Sequence, residues 1–304
     1  MKKFRILAFV LSLIMLFSGC GVVREPSEEA NAPVKEQRIV ATSVVICQIL
    51  EKLGVPAEQV VGIPKTDTYA IPEIYANATV VGSPMGPDME LVKSLNPTVV
   101  LSPVNIYEDF LKPDYDAAQI PFELVNLSSP QTLFDSIVEL GTFLGREKEA
   151  KKLHEEYDSF VADFTKEVAG KEHPTVLILM GLPGGVYVAA TDQSNAGALV
   201  KMAGGINVYG TDGDEAGFVQ VNPEDMLQKD PDIILRTAHA MPEMCMAMFQ
   251  QEFKDNAIWG HFRAVQENKV FDLDYHKFGM STNFLFKEGL ADLKPILYGK
   301  DKSE

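Results

Sequence analysis

One stretch of this sequence occurs twice, and that repetition limits the chain to a two-part plan. Residues 90–101 read ELVKSLNPTVVL and residues 224–235 read EDMLQKDPDIIL. Each copy is a short helical pattern, a proline that ends it, and an apolar run with the length of a buried strand. Asp88 and Asn222 stand ahead of the two copies, where an N-cap belongs. Around both copies short β-branched runs alternate with helical patterns. They fall at 39–41, 44–53, 60–61 and 79–81 in the first half, and at 176–180, 186–190, 195–202 and 232–235 in the second. Alternation of this kind predicts an α/β fold, here two α/β lobes. The strand ends Leu101 and Leu235 feed equivalent loops. Ligands of open α/β sheets sit beyond the carboxyl ends of the strands, so a cleft is expected between the lobes.

Between the lobes lies the longest helical pattern, at 146–169. Leu153, Tyr157, Phe160 and Phe164 share one face, and Glu147 and Lys151 form an i,i+4 pair in the favoured order. At ~1.5 Å per residue the segment reaches roughly 35 Å, enough to join both lobes as a single strut. The organisation expected is a signal peptide at 1–19, a lipidated flexible tether at 20–37, an N-terminal lobe at 38–128, connecting helices at 129–172 and a C-terminal lobe at 173–304.

The first two of those segments rest on local chemistry. Lys2, Lys3 and Arg5 precede an uncharged, mainly apolar run at 6–17 that ends in Ser18, Gly19 and Cys20. The run is shorter than the ~20 residues of a spanning helix. It reads as a signal peptide with a lipobox, although Phe17 stands where lipoboxes usually carry leucine. Cys20 then becomes the acylated N-terminus, and two acyl chains suffice for stable anchoring. That places the protein on the outer face of the cell membrane, in the Gram-positive manner. Residues 21–37 hold Pro26, Pro33 and four glutamates with little apolar content, so they cannot build a core.

Twenty-seven basic against 43 acidic residues give a net charge of -16. A broad nucleic-acid surface or a face for anionic lipid is therefore excluded, and any anionic ligand must be held by local donors. Three cysteines without a C-x-x-C pair offer neither a disulfide scaffold nor a zinc or thiol-redox site. P-loop, G-x-G-x-x-G, G-x-S-x-G and H-E-x-x-H patterns are absent, so binding rather than catalysis is expected.

Three stretches carry a family resemblance: VGSPMGPDME at 81–90, VLILMGLPG at 176–184 followed by Ala190, Thr191 and Asp192, and DIILRTAHAMP at 232–242. From about Arg38 to near the C-terminus the chain resembles the metal-chelate-binding proteins of ABC importers, whose lobes are joined by one backbone helix. Within them it resembles the IsdE-type heme-binding lipoproteins. The resemblance implies heme b, iron protoporphyrin IX, as transported ligand, with Met85 from the N-lobe and His239 from the C-lobe as axial ligands. A thioether and an imidazole are a recognised axial pair, and neither needs to carry charge. It also implies a monomer that meets an ABC permease and its ATPase, with an upstream cell-surface heme donor. Acidic residues on each lobe are expected at the permease, and Glu108 or Asp109 and Glu243 follow the two equivalent strand ends.

Heme brings two propionates. Thr42 and Ser43 begin the helix at 44–53, whose free N–H groups and dipole can receive a carboxylate, and equally read as an ordinary N-cap. Pro183 and Gly184 form a turn without bulk that can pass close to a flat ring. His154 belongs to the charged strut, His173 to a polar turn and His261 to a helix end. His276 sits in a late loop as a neighbour or substitute ligand. Met241, Met244, Met246, Met248 and Cys245 offer soft sulfur for Cu(I), although Met241, Met244 and Met248 also match one face of a packed helix. Cys47 reads as buried. A siderophore, cobalamin or copper carrier on the same scaffold, or a surface heme redox protein, are the other readings.

Overall fold

The computed structural model describes residues 37–67, 69–104, 111–210 and 216–299. Thirteen strands follow in chain order among them: β1 (Ile39–Ala41), β2 (Val60–Ile63), β3 (Thr79–Val80), β4 (Gly82–Ser83), β5 (Gly86–Pro87), β6 (Val99–Pro103), β7 (Phe122–Val125), β8 (Thr175–Leu182), β9 (Val186–Ala190), β10 (Ile206–Asn207), β11 (Phe218–Val219), β12 (Ile233–Ala238) and β13 (Val270–Asp272). A five-stranded sheet runs β3-β2-β1-β6-β7 with every pairing parallel. A six-stranded sheet runs β11-β9-β8-β12-β13, with β10 beside β8. Its β8, β10, β12 and β13 are parallel, while β9 and β11 are antiparallel additions. The chain is thus α/β, with one sheet from each half.

The repeated segments fold alike. Asp88 accepts a hydrogen bond from the Leu91 N–H at 3.0 Å, and Asn222 accepts one from the Asp225 N–H at 2.9 Å. They cap the helices Met89–Ser94 and Pro223–Gln228. Asn96 and Asp230, the residues before the two prolines, both take left-handed backbone with φ of 47° and 41°. Asn and Asp tolerate that region better than other residues with a Cβ, so the chain leaves each helix sharply and enters β6 or β12. The expected strand at 79–81 is shorter than its apolar pattern suggests: after β3 the chain folds into a separate β4-β5 hairpin.

Side chains alternate across both sheets, as a period of two requires. Ile39, Leu101, Val176, Ile178 and Leu235 face one continuous core that also takes in Tyr157 and Phe164 of the long helix. Val40 and Val100 face a smaller cluster on the far side of the first sheet, and Leu177, Leu179 and Ile234 another beyond the second. The long helix spans Glu147–Val168. It packs against the helix Pro130–Leu144, where a Cβ on Gly141 would lie 2.3 Å from the Ala150 Cβ, so the glycine permits the close approach. Phe134 stacks on Tyr157 at 4.4 Å, and Phe286 meets Phe134, Tyr157 and Phe160 edge to face at 5.6–5.8 Å. This aromatic cluster ties both connecting helices to the C-terminal helix Phe286–Tyr298, so the join is a packed unit and not a loose hinge. Among the described residues no helix is long and apolar enough to cross a membrane.

Candidate functional site

The candidate residues collect at the carboxyl ends of the parallel strands. His239 follows β12 directly, and its N–H donates to the Gly181 carbonyl of β8 at 2.9 Å. That bond extends the β12-β8 register by one residue. It sets His239 beside the β8-β9 turn, whose exposed Pro183 and Gly184 carry no long side chain to block a flat ligand. Gly184 and Gly185 have φ of 96° and 77°, a conformation only glycine holds without strain.

Past His239 the backbone is strained. Ala240 and Met241 both lie in the left-handed region, φ 56° and 40°, at an expected cost of about 1–3 kcal/mol each. The helix Pro242–Asp255 holds them there: the Cys245 N–H bonds the Met241 carbonyl at 3.1 Å, and the Cys245 thiol contacts the Ala240 carbonyl at 3.6 Å. The turn leaves His239 half-buried at the strand end. Burial pushes its pKa below the usual histidine value, so the ring favours the neutral form that a metal accepts.

In the first half, β4 and β5 form their own two-stranded hairpin and pair Ser83 with Gly86, which leaves Pro84 and Met85 as the two residues of its tip. Gly82 takes φ 110°, and a Cβ there would press on the Gly86 carbonyl at 3.1 Å, so glycine is required for the tight return. Met85 is 49% exposed, a large apolar side chain presented on a stiff tip rather than packed in a core. Thr42 and Ser43 follow β1 and divide the work expected of them. The Thr42 hydroxyl donates to the Leu101 carbonyl at 3.1 Å and meets the Ser102 hydroxyl at 2.8 Å, while its N–H also bonds the Leu101 carbonyl. Thr42 is therefore turned into the sheet and fully buried. Ser43 occupies the N-cap of the helix Val44–Lys52, but its side chain makes no capping bond, so that hydroxyl does not use up the first-turn donors.

The two carboxyl edges face each other. Tyr69, in the loop after β2, meets His276, which lies not in a loop as expected but in the short helix Tyr275–Phe278 after β13, with ring centroids 5.4 Å apart at 85°. Lys52, at the far end of the helix that Ser43 begins, lies over the Phe284 ring at 4.6 Å and adds a second contact between the halves. The other histidines lie apart from this edge: His154 is on the strut with Asp135 and Asp158, His173 bonds the Gly204 carbonyl, and His261 is exposed at the end of a short 3-10 turn. The sulfur cluster disperses. Cys245 is buried, Met246 and Met248 pack into the core of the second sheet, and only Met241 and Met244 are exposed. Met241 precedes the helix instead of joining its face. Cys47 is buried, and desolvation pushes its thiol up to about 12. Glu243 is exposed in the first turn after the strained segment. Glu108, Asp109 and Cys20 lie outside the described residues, as do the signal and nearly all of the tether.

Val186, 54% exposed, is an apolar residue at the start of β9 that sequence reasoning did not assign, and Met241, 57% exposed, was read there only as a copper donor or a packed helix residue. Val186 alternates like any strand residue, so only the three-dimensional edge reveals it. Among the described residues no three His, Cys, Asp or Glu side chains converge as a metal-holding group.

Solved structures share this fold. An ABC transporter substrate-binding protein from Listeria monocytogenes EGD-e superposes with a TM-score of 0.80 at 40% identity, over 88% of this chain and 100% of that one. Staphylococcus aureus IsdE, crystallised with heme, superposes with a TM-score of 0.79 at 39% identity, over 86% and 99%. The high-affinity heme uptake system protein IsdE of the S. aureus bovine strain RF122 / ET3-1 is 37% identical over 303 residues, 99% of this chain and 100% of its own length. With two facing strand-end edges, a rigid helical join and a match to the Periplasmic binding protein family over residues 39–276, the chain belongs to that family.

Proposed function

We propose that this protein is the heme-binding component of an ABC importer, which captures heme between its two sheet edges and delivers it to a membrane permease. The observation that carries the reading is 37% identity over essentially the whole chain to a high-affinity heme uptake protein. Local chemistry supports it. A bare metal ion asks the protein for a full donor set, whereas porphyrin-held iron asks for two axial donors. Met85 on its hairpin tip and His239 at its strand end supply one thioether and one imidazole from opposite halves of the chain. Neither is charged in the form that binds.

Each part of the edge then has a task. The β8-β9 turn at Pro183 and Gly184 leaves room for the ring, and Val186 and Met241 give it apolar contact. Ser43 and the first-turn N–H groups of its helix receive a propionate, while Thr42 anchors that corner to β6. Heme is cargo, so binding and release are the whole of the activity, and no turnover follows. Cys20 holds the protein at the outer membrane face. Glu243, with Glu108 or Asp109, meets the permease. A copper carrier is disfavoured by the dispersal of Met246, Met248 and Cys245 into packing positions.

Purification from heme-supplemented cells, followed by a visible spectrum, tests the reading. The protein should carry heme with a Soret band and low-spin features. Heme-free protein under those conditions would overturn the proposal and leave a siderophore or cobalamin as the ligand to try.

A further inference from the structure

His276 has no task in the ligand scheme above, yet it sits where the two halves touch. Its Nδ1 and its backbone N–H both lie 2.9 Å from the Asp274 carboxylate, and Tyr275 packs against its ring at 4.0 Å. Its carbonyl accepts from the Asn283 amide at 2.7 Å. The imidazole is thereby fixed in place with one edge left for a partner. That partner is Tyr69 of the first half, edge to face at 5.4 Å, whose hydroxyl also reaches the His276 carbonyl at 3.5 Å. Tyr69 is held in turn by its own loop, with its N–H 3.2 Å from the Thr66 hydroxyl and its carbonyl 3.3 Å from it. Burial, with Tyr275 and Asp274 nearby, pushes its phenol up to about 12, so it stays a neutral donor. Beside the pair a cavity of about 250 Å³ opens between Val44, Tyr69, Asn283 and Leu285, so the contact marks one end of the gap between the halves.

We propose that Tyr69 and His276 form a latch between the two halves, which slows ligand escape by holding the sheet edges together without touching the ligand metal. Both are positioning residues. The contact is aromatic and lies between a preorganised loop and a short capped helix, so its closure orders little else. The inference rests on the heme reading only for its release assay, because the contact itself is also measurable without ligand.

The test is a double-mutant cycle with Tyr69→Ala, His276→Ala and the double variant, plus Tyr69→Phe, which keeps the ring. Heme-loaded protein is mixed with excess apo-myoglobin and release is timed. Each single alanine variant should release heme roughly 2- to 10-fold faster, the range expected for an edge-to-face pair. The double variant should be no faster than the faster single, Tyr69→Phe should stay within about 2-fold of wild type, and all four should keep the wild-type low-spin spectrum. Wild-type release rates in the single variants, or a double variant equal to the product of the singles, would overturn the latch. Loss of the low-spin spectrum in His276→Ala would also overturn it, since His276 would then be an iron ligand. The same cycle read by the melting temperature of heme-free protein should show the same coupling, and additive shifts there would reject the contact. A wild type that takes up no heme would refute the heme reading, and the melting cycle would still judge the latch.

Discussion

Met85 and His239, the proposed axial ligands, are held in different ways. The imidazole is the stronger donor, half-buried and fixed through its own backbone bond to Gly181, whereas the thioether stands on an exposed hairpin tip. Met85→Ala should therefore keep heme through His239 and the pocket walls. It should lose heme to apo-myoglobin on the order of ten times faster and show a lower reduction potential, because Met/His ligation raises it. Unchanged release and potential would mean that Met85 is a rim residue and the sixth ligand lies elsewhere. The loops that carry them were legible in the sequence, since Pro84, Gly86 and Pro87 dictate a tight return and a strand end followed by Pro242 dictates a loop, whereas the ligand roles came only from the family resemblance. The left-handed Ala240 and Met241 were not legible. No glycine marks them, and the helix that holds them in place does so through tertiary contact with Cys245.

The duplicated helix-proline-strand unit shows what an element inherits from its own residues. Caps at Asp88 and Asn222, stops at Pro97 and Pro231 and the apolar runs of β6 and β12 are all local signals, and the fold follows them. What local signals could not give is the β4-β5 hairpin, whose strands are two residues each, or the inward turn of Thr42, which depends on Leu101 and Ser102 arriving beside it. β12 also shows how an element is fixed at its entry. Burial alone would raise the Asp232 carboxyl, but hydrogen bonds from the Thr175 N–H and hydroxyl and from Arg263 outweigh it and hold it below the usual aspartate range. A depressed folded pKa adds stability that is complete above the unfolded value near 4 and is lost as pH falls through the folded one. Asp232→Asn should thus cost about 1 kcal/mol at pH 7, partial solvent screening included. The difference should shrink toward zero as the pH is lowered below the folded carboxyl's titration. Equal denaturant midpoints for the two proteins at pH 7 would contradict this.

At the scale of the whole molecule, one core runs from the first sheet through the connecting helices into the second, so a ligand clamped between the edges works against a stiff frame. Its acidic surface, with net charge -16, gives an anionic ligand no general attraction and leaves its capture to the few donors at the edge. The N-terminal expectation is tested in cells: Cys20→Ala should move the mature protein from the membrane fraction into the medium, and unchanged membrane retention would refute the lipid anchor. The central claim, iron held by His239 on one half and Met85 on the other, is tested most directly by the visible spectrum of heme-loaded His239→Ala beside wild type. The account predicts a six-coordinate low-spin spectrum for wild type and its loss in His239→Ala, with a five-coordinate or weakly held heme. A His239→Ala variant that keeps the wild-type low-spin spectrum would contradict it.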